Sequence, residues 1–324
     1  MPDKPRWWKS DTVYSEVKKC IDDMFFLRPT PELRNIVGAC LGRALAHYPV
    51  KIFWVDPNVN HLHRGRAPYE GQEGNMSDFD QLFFSLLTKE VNILLDRRGC
   101  GTIWAGRNRT DECVDDTSTE QQFLYGATNM VKDGLLERAA HNKGFGTYHA
   151  IANGDLYERF EYIDRTAWNK AGGKNGKRPQ SDFKKTVTVE YSKIPRWEGL
   201  SKPQYATRFR REVRAIEQEY RAKREPAGRK AAGPAKLAKL NPRGRPEKRK
   251  KRTRQPLCHA STPEAAAEYK DTWRQFLDQR LKASQLFLMG NLYVEFPKGA
   301  FRPPLITLKN FKPPPGTAMV PPKP

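Results

Sequence analysis

Pro57-Asn58-Val59-Asn60-His61-Leu62-His63 is the stretch on which the reading of this chain turns. Of six histidines, only His61 and His63 lie close together. On a β-strand, residues i and i+2 point to the same face, so two imidazoles at this spacing can meet one metal ion. A surface pair without a role has the same spacing, and these residues alone leave both readings open. Just upstream, Lys51 to Val55 (KIFWV) is a short β-type run. Downstream, Arg64-Gly65-Arg66-Ala67-Pro68 is poor strand material, so regular pairing is expected to fade after His63.

Helical signals flank this centre. Thr30-Pro31-Glu32 reads as a helix start, with an N-cap hydroxyl and a proline at the first helical position. Leu33, Ile36, Val37, Cys40, Leu41 and Leu45 then share one face. Ser77 opens a second amphipathic helix that buries Phe79, Leu82, Phe83, Leu86 and Leu87. Thr117 or Ser118 opens a third, which passes through Phe123 and Leu124 and stops near Gly134, a fitting left-handed C′ position. This third helix carries Tyr125 and, four residues on, Asn129, so a phenol and an amide share a face. A boundary tyrosine with a satisfied hydroxyl fits the same pattern. The succession of strand and helix predicts a compact α+β domain over residues 1–150.

Composition narrows the classes. Of 324 residues, 38% are hydrophobic, and no apolar run approaches the ~18–20 residues of a spanning helix, so an integral membrane protein is not expected. Met1 to Asp11 offers no charged and apolar leader, so secretion is not expected either. Five scattered cysteines without a CxxC pair argue for a reducing compartment and against a disulfide scaffold or zinc ribbon. The formal charge of +21 calls for a polyanionic partner, of which nucleic acid is the commonest.

The charge is concentrated. From Arg221 to Arg254 there are 15 basic and two acidic residues, with four prolines and almost no large apolar side chains. Residues 221–256 therefore read as a flexible basic linker able to neutralise phosphates without reading bases. Arg249, Lys250, Lys251 and Arg252 are its densest cluster. Residues 151–220 form an α/β or helical extension, with a strand at Thr186 to Tyr191 and a charged helix within 203–224. Residues 257–324 hold a capped helix beginning at Ser261-Thr262-Pro263-Glu264 and a proline-rich tail. Cys258-His259 lacks a second ligand pair nearby and is not read as a metal site.

Taken in order, the pieces resemble the single-tyrosine HUH transposases, in particular the REP-associated tyrosine transposases. That family shows an HxH strand, a helix, a Trp-x-x-Arg segment and a helix reading Tyr-x-x-x-Asn-Pro-Val-Lys-x-Gly. This chain has PNVNHLH at 57–63, then Gly74-Asn75-Met76-Ser77-Asp78-Phe79, then Ile103-Trp104-Ala105-Gly106-Arg107, and Tyr125 through Leu135 (YGATNMVKDGL). The run before the histidines is two residues longer than the family's PNHVH, which predicts a bulge or register shift. Met130 stands where the family has proline.

The resemblance implies a ferredoxin-like antiparallel sheet with packed helices, HxH on a central strand and the tyrosine on a facing helix. It implies that Tyr125 is the nucleophile that forms a 5′-phosphotyrosine, and that His61, His63 and Asn129 bind the metal. Imidazole, amide and water suit Mg2+ or Mn2+, although two histidines do not exclude zinc. The implied substrate is single-stranded or hairpin DNA of REP type, handled by a cytoplasmic, DNA-associated protein that is a possible homodimer. Trp104, Arg107, Arg109 and Lys132 suit a single-strand grip of charge and stacking, and Trp104 equally suits a core. An inactive nucleic-acid-binding descendant is the alternative to the enzyme.

Overall fold

The computed structural model describes residues 4–247 and 256–302. Seven strands and eight α-helices run in this order among them: β1 (Val13–Lys19), α1 (Pro31–His47), β2 (Lys51–Asn58), β3 (His61–Ala67), α2 (Asn75–Leu94), β4 (Arg109–Cys113), α3 (Asp116–Lys132), α4 (Tyr148–Asn153), β5 (Tyr157–Ile163), α5 (Arg165–Lys170), β6 (Lys184–Glu190), α6 (Lys202–Arg224), α7 (Pro234–Ala238), β7 (Cys258–His259) and α8 (Pro263–Leu288). The architecture is mixed α/β. Five strands form one sheet in the order β2-β3-β1-β4-β7, antiparallel throughout except for the β4–β7 pair, and β5 and β6 form a separate hairpin. Among the described residues, no helix is long and apolar enough to cross a membrane.

Helices cover both faces of the sheet. On one side α1 and α2 bury Leu33, Val37, Leu41, Phe79, Phe83 and Leu87 against β-residues such as Val55 and Leu62. On the other, α3 lies over β2 and β3, and α6 packs on its back through Phe209 and Val213. Gly65 and Gly126 set the spacing of this second layer. A Cβ on Gly65 would fall 2.0 Å from the Trp54 ring, and one on Gly126 would fall 2.8 Å from Trp54 Cδ1. The indole of Trp54 thus fills the slot between strand and helix that the two glycines leave open.

Strand β3 does not fade after His63. It pairs with β1 through Arg66 and with β2 through Ala67, because Arg64 and Arg66 are neutralised within the fold and not in water. Both side chains are at most 1% exposed. Arg64 Nε donates to Glu16 Oε2 at 2.5 Å and its Nη2 pairs with Asp80. Arg66 donates to Glu16 at 2.7 and 2.9 Å, to Asp80 Oδ2 at 2.9 Å and to the Met76 carbonyl at 2.8 Å. Burial pushes the Glu16 carboxyl up, but the Arg64 and Arg66 guanidiniums outweigh it and hold the group at about 2. Two acids and two bases close the charge balance that a buried network requires. The register shift also sits elsewhere than expected. It falls between Ile52 and Trp54, while Asn58 and His61 close a regular hairpin around Val59-Asn60.

Part of the stretch read as a flexible linker is packed. Helix α6 continues to Arg224, and α7 buries Leu237 to 1% exposure against Val59, Met130, Val131 and Leu136. The Ala232 and Gly233 amides donate to the carbonyls of Gly134 and Leu135, and Phe25 N donates to Gly244 O. Four apolar side chains at one helix end suffice to pin a segment whose composition is otherwise basic. Arg249, Lys250, Lys251 and Arg252, and most of the proline-rich tail, lie outside the described residues.

Candidate active site

The pleat of β3 sends His61, His63 and Gly65 to the α3 face of the sheet and Leu62, Arg64 and Arg66 to the opposite core. His63 lies opposite Val17 of β1 and Asp56 of β2, and His61 opposite Lys19 and Asn58. The two imidazoles stand edge to face with centroids 4.8 Å apart.

Helix α3 brings the other residues. It starts at Asp116, one position before the expected opening, because the Asp115 carboxylate caps it by accepting from Ser118 N at 2.6 Å. It stops at Lys132, with Gly134 in the left-handed region at φ 69°. Tyr125 stacks edge-on against His63 with centroids 5.3 Å apart. One turn on, the Asn129 amide Nδ2 donates to His61 Nε2 at 3.0 Å. Lys132 Nζ sits 4.3 Å from the centre of the Tyr125 ring. Residues 61, 63, 125 and 129 therefore line one cavity of about 690 Å³ between sheet and helix.

Two imidazoles and an amide are donor types that a divalent cation takes. Among the described residues, His63 Nε2 is buried without a hydrogen-bond partner. Such an atom forfeits its solvation unless something fills the position. Burial above all, then the neighbouring His61, Lys132 and Arg109, push the His63 imidazole well below its ordinary range, which keeps it neutral, the form that ligates. The Asn129 amide N–H holds the His61 Nε2 lone pair, so ligation by both residues requires the amide to turn its Oδ1 inward. Among the described residues, no three of His, Cys, Asp and Glu gather as a metal cluster, so an amide would be the third protein donor.

Of the other expected contacts, Arg109 lines the cavity and is held by Asp111 Oδ2 at 2.6 Å. Lys132 is exposed, with its Nζ beside the Tyr125 ring. Trp104 and Arg107 are elsewhere. The Trp104 ring is 5% exposed and packs on Phe84 at 5.0 Å in the α1/α2 layer. Arg107 lies beside Arg6 and Asn108 on that same side.

Several residues of the site carried no sequence signal of their own. Asp56 is buried on the strand beside His63, and burial lifts its carboxyl to about 7 against one hydrogen bond from Thr147 N. Asp111 and Gln122 line the cavity from β4 and α3, and Lys236 lines it from α7. His259 does so from β7, its Nε2 3.8 Å from Asp111 Oδ2. Burial lowers the His259 imidazole while Asp111 pulls it back up. The Leu237–Leu240 spacing in PAKLAKL was the available hint for the α7 segment.

No known sequence family matches the chain, and no curated protein matches it significantly. Among solved structures, the chain is similar to one described as a REP-associated tyrosine transposase bound to a REP hairpin. The likeness covers 47% of this chain and 86% of that one, at 13% identity and a TM-score of 0.36. A likeness at that level carries no argument, and the functional reading rests on the residues.

Proposed function

We propose that this chain is a metal-dependent single-strand DNA nicking and joining enzyme of transposase type that works through a 5′-phosphotyrosine at Tyr125. The observation that carries the reading is the convergence of Tyr125, His61, His63 and Asn129 on one cavity, with His63 Nε2 buried and, among the described residues, unpartnered. The β-α-β-β-α-β order of the first 113 residues and the sheet order β2-β3-β1-β4 support the ferredoxin-like arrangement that the sequence resemblance implies.

The chemistry follows from what the residues can do. A phenol titrates near ~10 and is a poor nucleophile at neutral pH without help. Tyr125 Oη forms a bond to phosphorus while the bond to the 3′-oxygen breaks; the phenol gives up its proton and the departing 3′-oxygen gains one. The phosphodiester is conserved in the new linkage, so rejoining is the same step reversed and needs no ATP. Lys132 beside the ring places positive charge where the phenolate develops. His61, His63 and Asn129 would hold Mg2+ or Mn2+, which supplies charge neutralisation on the phosphate oxygens. Arg109, held by Asp111, adds a fixed cation along the same wall.

The test is a covalent-adduct assay with labelled single-stranded and hairpin oligonucleotides. A protein–DNA band that requires Mg2+ or Mn2+, and is lost with EDTA and in Tyr125→Phe, supports the reading. Binding without any adduct across a broad oligonucleotide panel would leave the inactive binding protein as the better account.

A further inference from the structure

The cavity is bounded at both ends by segments that lie beyond residue 220. At the C-terminal end of α3, α7 is fixed by Leu237 and by the Ala232 and Gly233 amides bonded to Gly134 and Leu135, which leaves Lys236 exposed on the cavity wall. At the N-terminal end, the Ser261 amide donates to Asp115 Oδ2, the carboxylate that also caps α3. The Val114 amide donates to the His259 carbonyl at 2.9 Å, and Tyr269 Oη donates to Glu112 at 2.8 Å. These bonds set β7 against β4 and place His259 beside Asp111, on the wall it shares with Arg109.

The two ends are thus keyed to the two ends of one helix. Seventeen residues of α-helix span about 25 Å, and Tyr125 lies near the middle. At ~3.4 Å per stacked nucleotide, that length takes at most about seven nucleotides. One end offers an exposed ammonium and the other an imidazole and a guanidinium, each aligned by a carboxylate. Those are groups that grip phosphates.

We propose that the C-terminal extension supplies a phosphate-binding group to each end of the groove, Lys236 on one side of the scissile phosphate and His259, beside Arg109 of β4, on the other. The inference rests on the single-strand reading given above and adds the part of the chain that determines which stretch of strand is held. Neither end touches the reacting atoms, so their contribution is to binding and register.

The experiment measures binding of the full chain carrying Tyr125→Phe, so that chemistry does not intervene. Oligonucleotides carry one neutral methylphosphonate at each successive position across the cleavage site. Lys236→Gln is expected to abolish the penalty for neutralisation on one side of that site, and His259→Gln to reduce it on the other, where Arg109 remains. Lys236→Gln is expected to lower the salt slope by about 0.7, the value for one phosphate contact on a single strand. Lys236→Arg should restore the first profile, and circular dichroism confirms that each variant is folded. Both variants keeping the full positional profile, or losing it on the same side, would overturn the inference. A chain that shows this profile but forms no adduct with Tyr125 intact would refute the enzyme reading and leave the binding ends standing. Absence of any single-strand binding would overturn both.

Discussion

Asn129 Nδ2 lies 3.0 Å from His61 Nε2, although the two residues are 68 positions apart in the chain. One sits on a strand and the other on the helix that crosses it, one turn past Tyr125. The contact fixes the helix in register with the histidine pair, so the phenol, both imidazoles and the amide form a single constellation. Asn129→Ala is therefore expected to raise the Mn2+ concentration for half-maximal adduct formation by about 10–100-fold. A Mn2+ titration of adduct yield checks this, and an unchanged midpoint would remove Asn129 from the site.

The seat of the tyrosine helix depends on Gly126. Its added Cβ would meet Trp54 Cδ1 at 2.8 Å and Asp56 Oδ2 at 3.1 Å. Gly126→Ala should cost ~1–3 kcal/mol in thermal or chemical unfolding. The helix lifts from β3, and a shift of that kind should cut the adduct rate by about 100-fold in the variant that remains folded. Unchanged kinetics would show that the Trp54 slot has slack.

Glu16 is the hub of the buried charges. Glu16→Gln leaves Arg64 and Arg66 underneutralised and should destabilise the fold by ~3–5 kcal/mol in denaturant melts. The acid limb tests the same network. The folded carboxyl is held at about 2 against an ordinary 4.5, so its contribution is complete above 4.5 and is lost as pH falls from there through 2. Stability of the parent chain should fall steeply across that window, and the slope should flatten in Glu16→Gln. Parallel slopes would place the acid sensitivity elsewhere.

Leu237 anchors α7 to the end of the tyrosine helix. Leu237→Ala removes a buried side chain at a cost of ~2–5 kcal/mol. Because the segment is held locally, the loss should appear as local opening. Trypsin should then cleave at Lys236 and Lys239 at least ~30-fold faster. An unchanged cleavage rate at those two bonds would mean that the amide contacts to Gly134 and Leu135 suffice.

What could be read from the sequence was short-range. His61 with His63, and Tyr125 with Asn129, are two and four positions apart, and strand and helix periodicity put each pair on one face whatever surrounds it. The helix starts near Thr30 and Ser118 and the stop at Gly134 were legible for the same reason. Arg64 and Arg66 were not, because the carboxylates that let them be buried lie 48–50 residues upstream in Glu16 and 14–16 residues downstream in Asp80. Gly65 looked like a strand breaker until Trp54 filled the space above it. The α7 segment and His259 were missed because their roles depend on distant chain returning to the two ends of α3, which composition does not record.

The most direct measurement maps the covalent bond itself. After reaction with a single-stranded oligonucleotide and Mn2+, the protein is digested with nuclease and protease, and its peptides are weighed. A nucleotide mass is expected on the peptide that contains Tyr125, absent with EDTA and absent in Tyr125→Phe. An adduct on any other residue, or none under conditions where the oligonucleotide is bound, would contradict it.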